Sequence, residues 1–378
     1  MPLSKSPALS SCAALLWLWL TLALGFTPAC PAAERQTIQV PPAAGSAGIN
    51  KALAALKESG GEVVLSAGTY VIQSPVIIHS DRITLRGAGP STLLRLAAKA
   101  NCPVVVIGDE ANQPRHTVRG VCVADLRIDG NRTQQQGECW NGVCDTGPST
   151  AIRSSGVVIR RARDILVLRV SASRCRSGGM VTEKVCRRLV VQDFSASENE
   201  FDGLACYETE DSTFAGLDLH HNKSAGISTD IHFDHNTFSN VRMFHNGSHG
   251  IFMRNSSDNR FENIEVRHSG RAGIFVDQVD EGRNTGSVGN RFNKIRVIAS
   301  GGPGFQVNAV SCKRTQLTHS VLEDNASGVW EAAPKLVVQE DVVVRSRVRD
   351  RGKAKGESGS EGGSSGGGEN TPLKVRLE

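Results

Sequence analysis

Five residues of this 378-residue chain combine types and spacing that could do chemistry: Tyr207, Asp230, His232, Arg254 and Asp277. Four of them stand four places after a glycine (Gly203, Gly226, Gly250 and Gly273), and His232 stands two places beyond Asp230. Together they offer general bases, a phenol that can give a proton, and a cation. Acid–base chemistry on a sugar needs such groups within hydrogen-bond reach of the proton that moves. An arginine beside an aspartate also suits a carboxylated sugar, because a guanidinium can bind and neutralise a carboxylate. Proton abstraction next to a carboxylate depends on that neutralisation. Asp230, His232 and Tyr207 are therefore the expected proton-handling residues, and Arg254 the expected carboxylate clamp.

A repeat positions them. Glycines recur at Gly156, Gly179, Gly203, Gly226, Gly250, Gly273, Gly304 and Gly328, with gaps of 23, 24, 23, 24, 23, 31 and 24 residues. Each opens a short apolar segment such as GVVIR, GLACY or GIFMR. A fixed period in this range marks a solenoid. Strands with no room for helices between them make it all-β, a parallel β-helix. Side chains alternate along a strand, so the first and third residues after each glycine face in and the fourth faces out. The outward column reads Arg160, Glu183, Tyr207, Asp230, Arg254, Asp277, Asn308. His232 joins it if its strand continues past Asp230.

Coils lie roughly 4.8 Å apart, so this column forms a ladder along one face. Glu183, Asp277, Asn308 and Arg160 are then expected substrate contacts on either side of the centre. Asp230 and Asp277, two coils apart, would be roughly 9–10 Å from each other. That is near the upper end for an inverting glycosidase pair, so hydrolysis stands as an alternative. The plainest reading of the column is a surface ion-pair ladder that adds little stability. Two further columns read as structural. Phe214, Phe238, Phe261 and Phe292 should stack inside, and Asn199, Asn222 and Asn246 should bond from coil to coil at one turn.

The rest of the chain frames this solenoid. Residues 1–33 read as a signal peptide, with Lys5 before the apolar run from Ala13 to Phe26 and small residues after it. Export out of the cytoplasm, extracellular or periplasmic, is expected, with no membrane span. Ile49, Ala52, Leu53 and Leu56 share one face of a short helix that should cap the N-terminal end. The stretch from Asn131 to Ser154 breaks the period and could wall a groove. Residues 351–378 form a Gly/Ser-rich tail expected to be disordered. Eight cysteines beyond the signal suggest disulfides, with Cys139 and Cys144 able to close a small loop, although Cys206 also reads as a small buried thiol. The net charge of +5 is mild and no basic cluster interleaves with aromatics, so nucleic acid is not an expected partner. No metal site is legible, and calcium stays open because it needs convergent carboxylates. A monomer is expected. Sequons start at Asn131, Asn222, Asn246, Asn255 and Asn325.

The repeat, the helix ahead of it and the start GGEVVLSAGTYVI together resemble the pectate-lyase-like superfamily of single-stranded right-handed parallel β-helix proteins over residues 36–345. The resemblance implies a secreted, carbohydrate-active protein whose substrate lies along the outer face of one sheet. Family members are polysaccharide lyases, galacturonan hydrolases and uronan C5-epimerases. The chain lacks the Asp-Asp and Gly-His-Gly pattern of the hydrolases, having only Ser248-His249-Gly250. Its nearest match to the epimerase Asp-Pro-His stretch is Asp230-Ile231-His232, with Tyr207 where a partner aspartate would stand. The expected function is therefore action on a uronic-acid polysaccharide by lyase or C5-epimerase chemistry. The alternatives are a non-catalytic glycan-binding β-helix and a polygalacturonase-like hydrolase.

Overall fold

The computed structural model describes residues 36–136, 139–140, 143–144, 152–279 and 286–346. The expected signal peptide and the Gly/Ser-rich tail lie outside these residues, as do the side chains of Cys139 and Cys144. The chain climbs as a right-handed parallel β-solenoid of about 12 turns.

One wall is a ten-stranded parallel sheet whose strands neighbour one another in chain order. They are β1 (Val76–Ile78), β2 (Val105–Ile107), β3 (Val157–Arg160), β4 (Met180–Glu183), β5 (Leu204–Tyr207), β6 (Ile227–Asp230), β7 (Ile251–Arg254), β8 (Ile274–Asp277), β9 (Pro303–Val307) and β10 (Ser327–Glu331). An eighteen-stranded parallel sheet closes the other sides. The glycines lead the strands because the coils approach closely there. A Cβ on Gly203 would stand 2.7 Å from the carbonyl oxygen of Gly226, and one on Gly179 the same distance from that of Gly203.

Inside, Val157, Met180, Leu204, Ile227, Ile251, Ile274 and Phe305 form the expected buried column. The phenylalanine stack is present. Ring centroids lie 4.6 Å apart for Phe214–Phe238, 5.0 Å for Phe238–Phe261 and 4.6 Å for Phe261–Phe292. The asparagine column also bonds as expected. Asn199 donates to Asn222 at 2.8 Å, and Asn222 donates to Asn246 at 3.0 Å. A second ladder, not foreseen, joins Asn236 to Asn259 at 3.2 Å and Asn259 to Asn290 at 3.1 Å. These side chains satisfy backbone groups that the tight corners leave without a strand partner.

Helix α1 (Gly45–Ala55) packs Ile49, Ala52 and Leu53 into the core. Asn50 fastens it to the first coils by donating to the Pro75 carbonyl and accepting from the Ile77 amide. No helix among the described residues is long and apolar enough to cross a membrane. The expected disulfide framework is corrected in part. Cys102, Cys186, Cys206 and Cys312 are buried free thiols, and Cys175 is buried too. Burial pushes the Cys186 thiol up to about 12, which makes it an inert core residue rather than a reactive one.

Candidate functional site

The strand register assembles the outward column. Arg160 pairs with Glu183, Tyr207 with Asp230, and Arg254 with Asp277. Thr229 pairs with Met253, which sets Asp230 beside Arg254 on the next coil. There the Arg254 guanidinium donates to the Asp230 carboxylate. Asn308 donates to Asp277 at 3.0 Å. Tyr207, Asp230, Arg254, Asp277 and Asn308 thus lie on successive rungs of one face.

Two expected residues do not behave as the alternation predicts. Strand β6 stops at Asp230, and both Ile231 and His232 take positive φ, 48° and 58°. This turn carries His232 off the strand, so it does not extend the column beyond Asp230. Arg160 faces outward but is 0% exposed. It is ion-paired to Glu183 at 2.8 Å, and its Nη1 donates to the carbonyls of Asp109 and Glu110, 3.1 Å each. Arg160 therefore ties a loop to the sheet and is not an open substrate contact. Glu183 is committed to Arg160, and burial raises its pKa against the pull of that guanidinium.

Other residues enter the site unannounced. Arg153 ends the aperiodic stretch and reaches over the sheet, its guanidinium carbon 5.5 Å from the Tyr207 ring centre and 5.4 Å from that of Phe201. Neighbouring Ile152 packs on Val106 and Val158, the outward side chains of β2 and β3. Asp202, just before Gly203, is buried and within reach of the Arg153 charge. His79 belongs to the same outward column, because Ile78 and Ile107 are register partners, as are Ile107 and Ile159. The glycine repeat does not reach it, because Val104 and Pro75 stand where Gly156 stands on the two preceding coils.

Burial governs the protonation of the site. It pushes the Tyr207 phenol up to about 12, although the Arg153 charge pulls the other way. Tyr207 is thus a proton donor at neutral pH. Burial also raises the Asp202 carboxyl to about 6, opposed by the Ser224 hydroxyl, the Ala225 amide and the Arg153 charge. His249, packed against the stacked rings of Phe252 and Phe275, is lowered to about 4 by burial and by Arg271. Among the described residues no group of three or more His, Cys, Asp or Glu side chains could hold a metal ion, and the column itself alternates acids with arginines.

The comparisons agree with this architecture. A family model described as right-handed beta helix region matches residues 210–335. No curated protein matches the chain at the level of sequence. The fold is the right-handed parallel β-helix. Similar solved structures include the A-module of mannuronan C-5 epimerase AlgE6 from Azotobacter vinelandii, 16% identical with a TM-score of 0.54, covering 81% of this chain and 90% of that one. An endo-xylogalacturonan hydrolase from Aspergillus tubingensis is 12% identical with a TM-score of 0.60, covering 82% and 93%. The catalytic domain of a GH87 alpha-1,3-glucanase is 11% identical with a TM-score of 0.56, covering 85% and 67%. All are carbohydrate-active β-helix proteins. At these identities the likeness is one of fold.

Proposed function

We propose that the protein acts on a uronic-acid polysaccharide laid along the outer face of the ten-stranded sheet, by lyase or C5-epimerase chemistry. The Asp230–Arg254 ion pair beside the protonated phenol of Tyr207 carries this reading. It sets a base, a cation and an acid on three successive rungs. In the reaction Asp230 takes the proton from C5 of the uronate. Negative charge then spreads into the sugar carboxylate, which Arg254 and Arg153 stabilise from the two sides. If the C4–O4 bond breaks, Tyr207 gives its proton to O4 and an unsaturated end forms. If water on the opposite face gives a proton to C5 and Asp230 releases its own proton to solvent, the uronate is inverted and the chain stays whole. Export to the extracellular space or periplasm suits a polymer substrate of this kind.

The deciding experiment incubates the full chain with polymannuronate, polygalacturonate and a glycosaminoglycan. Ultraviolet absorbance of an unsaturated sugar marks the lyase. A changed uronate ratio without loss of length marks the epimerase. Asp230→Asn should abolish either signal. Turnover that survives Asp230→Asn would remove the proposed centre, and binding without turnover would leave a docking face only.

A further inference from the structure

The outer face of the sheet is not uniform along the solenoid axis. The second residue after each glycine faces outward, and this column runs Val158, Val181, Ala205, Ser228, then Phe252, Phe275, Gln306 and Trp330, in register from coil to coil. The first three are at most 2% exposed and Ser228 is 7% exposed. Phe252, Phe275 and Gln306 are half-buried, and Trp330 is 43% exposed.

Named residues account for the two ends of the covered part. Ile152 packs on Val106 and Val158. Backbone bonds pin the segment down: Val104 donates to Ser155, and Ser177 donates to Ser154, 3.1 Å each. Arg153 closes the near end of this roof directly over Tyr207. Arg160, fully buried between Glu183 and the carbonyls of Asp109 and Glu110, seals the far end. A cleft of about 740 Å³ around His79, Asp81 and His116 lies beyond that seal.

We infer that the groove is blind: the protein engages its polysaccharide by a chain end, with the terminal sugar against Arg153 and Tyr207 and the rest of the polymer running out over Phe252, Phe275 and Trp330. This deepens the uronan reading above and rests on it. The occupant follows from the chemistry of the open arm. Arg254 and Asn308 present donors to carboxylates and hydroxyls, and the adjoining aromatic column gives the apolar C–H faces of sugar rings a surface to lie on. The coil spacing of roughly 4.8 Å is comparable to the length of one sugar unit, so each rung can meet one residue of the chain. An internal sugar cannot reach Asp230 in this geometry, because the polymer on its other side would have to pass through Ile152 and Arg153.

The test counts binding sites. Asp230→Asn, which leaves the polymer intact, is titrated with polymannuronate and with polygalacturonate, each at full length and after mild shortening. Tyr207→Phe serves as a second intact-polymer variant should Asp230→Asn fold poorly. A blind groove binds ends only, so sites per gram should double when the mean chain length is halved. Sites per gram that stay constant on shortening would overturn the inference while leaving the uronan reading standing. Failure to bind either of these polymers or a glycosaminoglycan at any length would overturn both.

Discussion

The carboxylate of Asp230 and the guanidinium of Arg254 are joined across adjacent coils, with 6% of the first side chain and 28% of the second open to solvent. The pair is therefore neither a surface decoration nor a sealed core bridge. Arg254 holds Asp230 in place and still faces the groove, with its guanidinium carbon 5.0 Å from the Phe252 ring centre.

Breaking this pair from one side should be costly. Arg254→Ala strands a buried carboxylate and should lower stability by about 3 kcal/mol, the low end for an interrupted buried ion pair. Urea denaturation reads the loss directly. The double variant Asp230→Asn, Arg254→Met should recover much of it, since no uncompensated charge remains. Equal destabilisation in the single and double variants would show that packing, not charge, sets the cost.

Asn222 offers a second test. Its amide accepts from Asn199 and donates both to Asn246 and to the Ala196 carbonyl. Asn222→Ala removes these bonds and leaves buried partners unsatisfied, a loss of roughly 2–4 kcal/mol. Exposed Lys223→Ala, one residue on, should change stability by less than about 0.5 kcal/mol. Asn222 and Asn246 both begin sequons, yet each is 1% exposed. Expression through a eukaryotic secretory pathway should leave both without glycan by peptide mass analysis.

Phe238 lies between Phe214 and Phe261 in the stack, with a further contact to Phe233. Phe238→Ala should cost about 3–5 kcal/mol, as expected for emptying a buried aromatic site. Phe238→Leu should cost markedly less. The thermal midpoints of the two variants give the comparison.

His249 predicts a pH dependence. Its folded-state pKa, about 4, lies below the ordinary value of 6.5, so the fold favours the neutral ring. The stability it contributes is complete above pH 6.5 and is lost as pH falls toward 4, up to about 3 kcal/mol for a shift of this size. Asp202 works the other way. Its pKa is raised to about 6, so its contribution is complete below the ordinary carboxylate range and is lost as pH rises through 6. The two overlap, and only a difference separates them. Wild type minus His249→Phe should decline on acidification between pH 6.5 and 4. A flat difference would mean that the ring is not kept neutral by its surroundings.

The columns were legible because every coil obeys the same rule. Once the glycines fix the period, alternation assigns Asp230, Arg254 and Asp277 to one face without knowledge of any contact. Arg160 shows the limit of that logic. Outward is a property of the strand, but exposure depends on what lies over it, here the carbonyls of residues 109 and 110. His232 was misplaced because the chain turns at Ile231, a β-branched residue in a left-handed conformation that local preference disfavours. Arg153 could not be placed at all. Its position follows from Ile152 packing on Val106 and Val158, a tertiary contact made by a segment with no period.

The asparagine and phenylalanine ladders have a mechanical consequence. Each rung is secured chiefly by the rungs beside it, so the solenoid resists disruption best where both ladders run, between about residues 214 and 290. Nearest-neighbour assemblies of this kind fray from their ends. Under heat or a pulling force the outermost coils should peel away one at a time, while the Tyr207–Arg254 stretch is among the last to lose its shape.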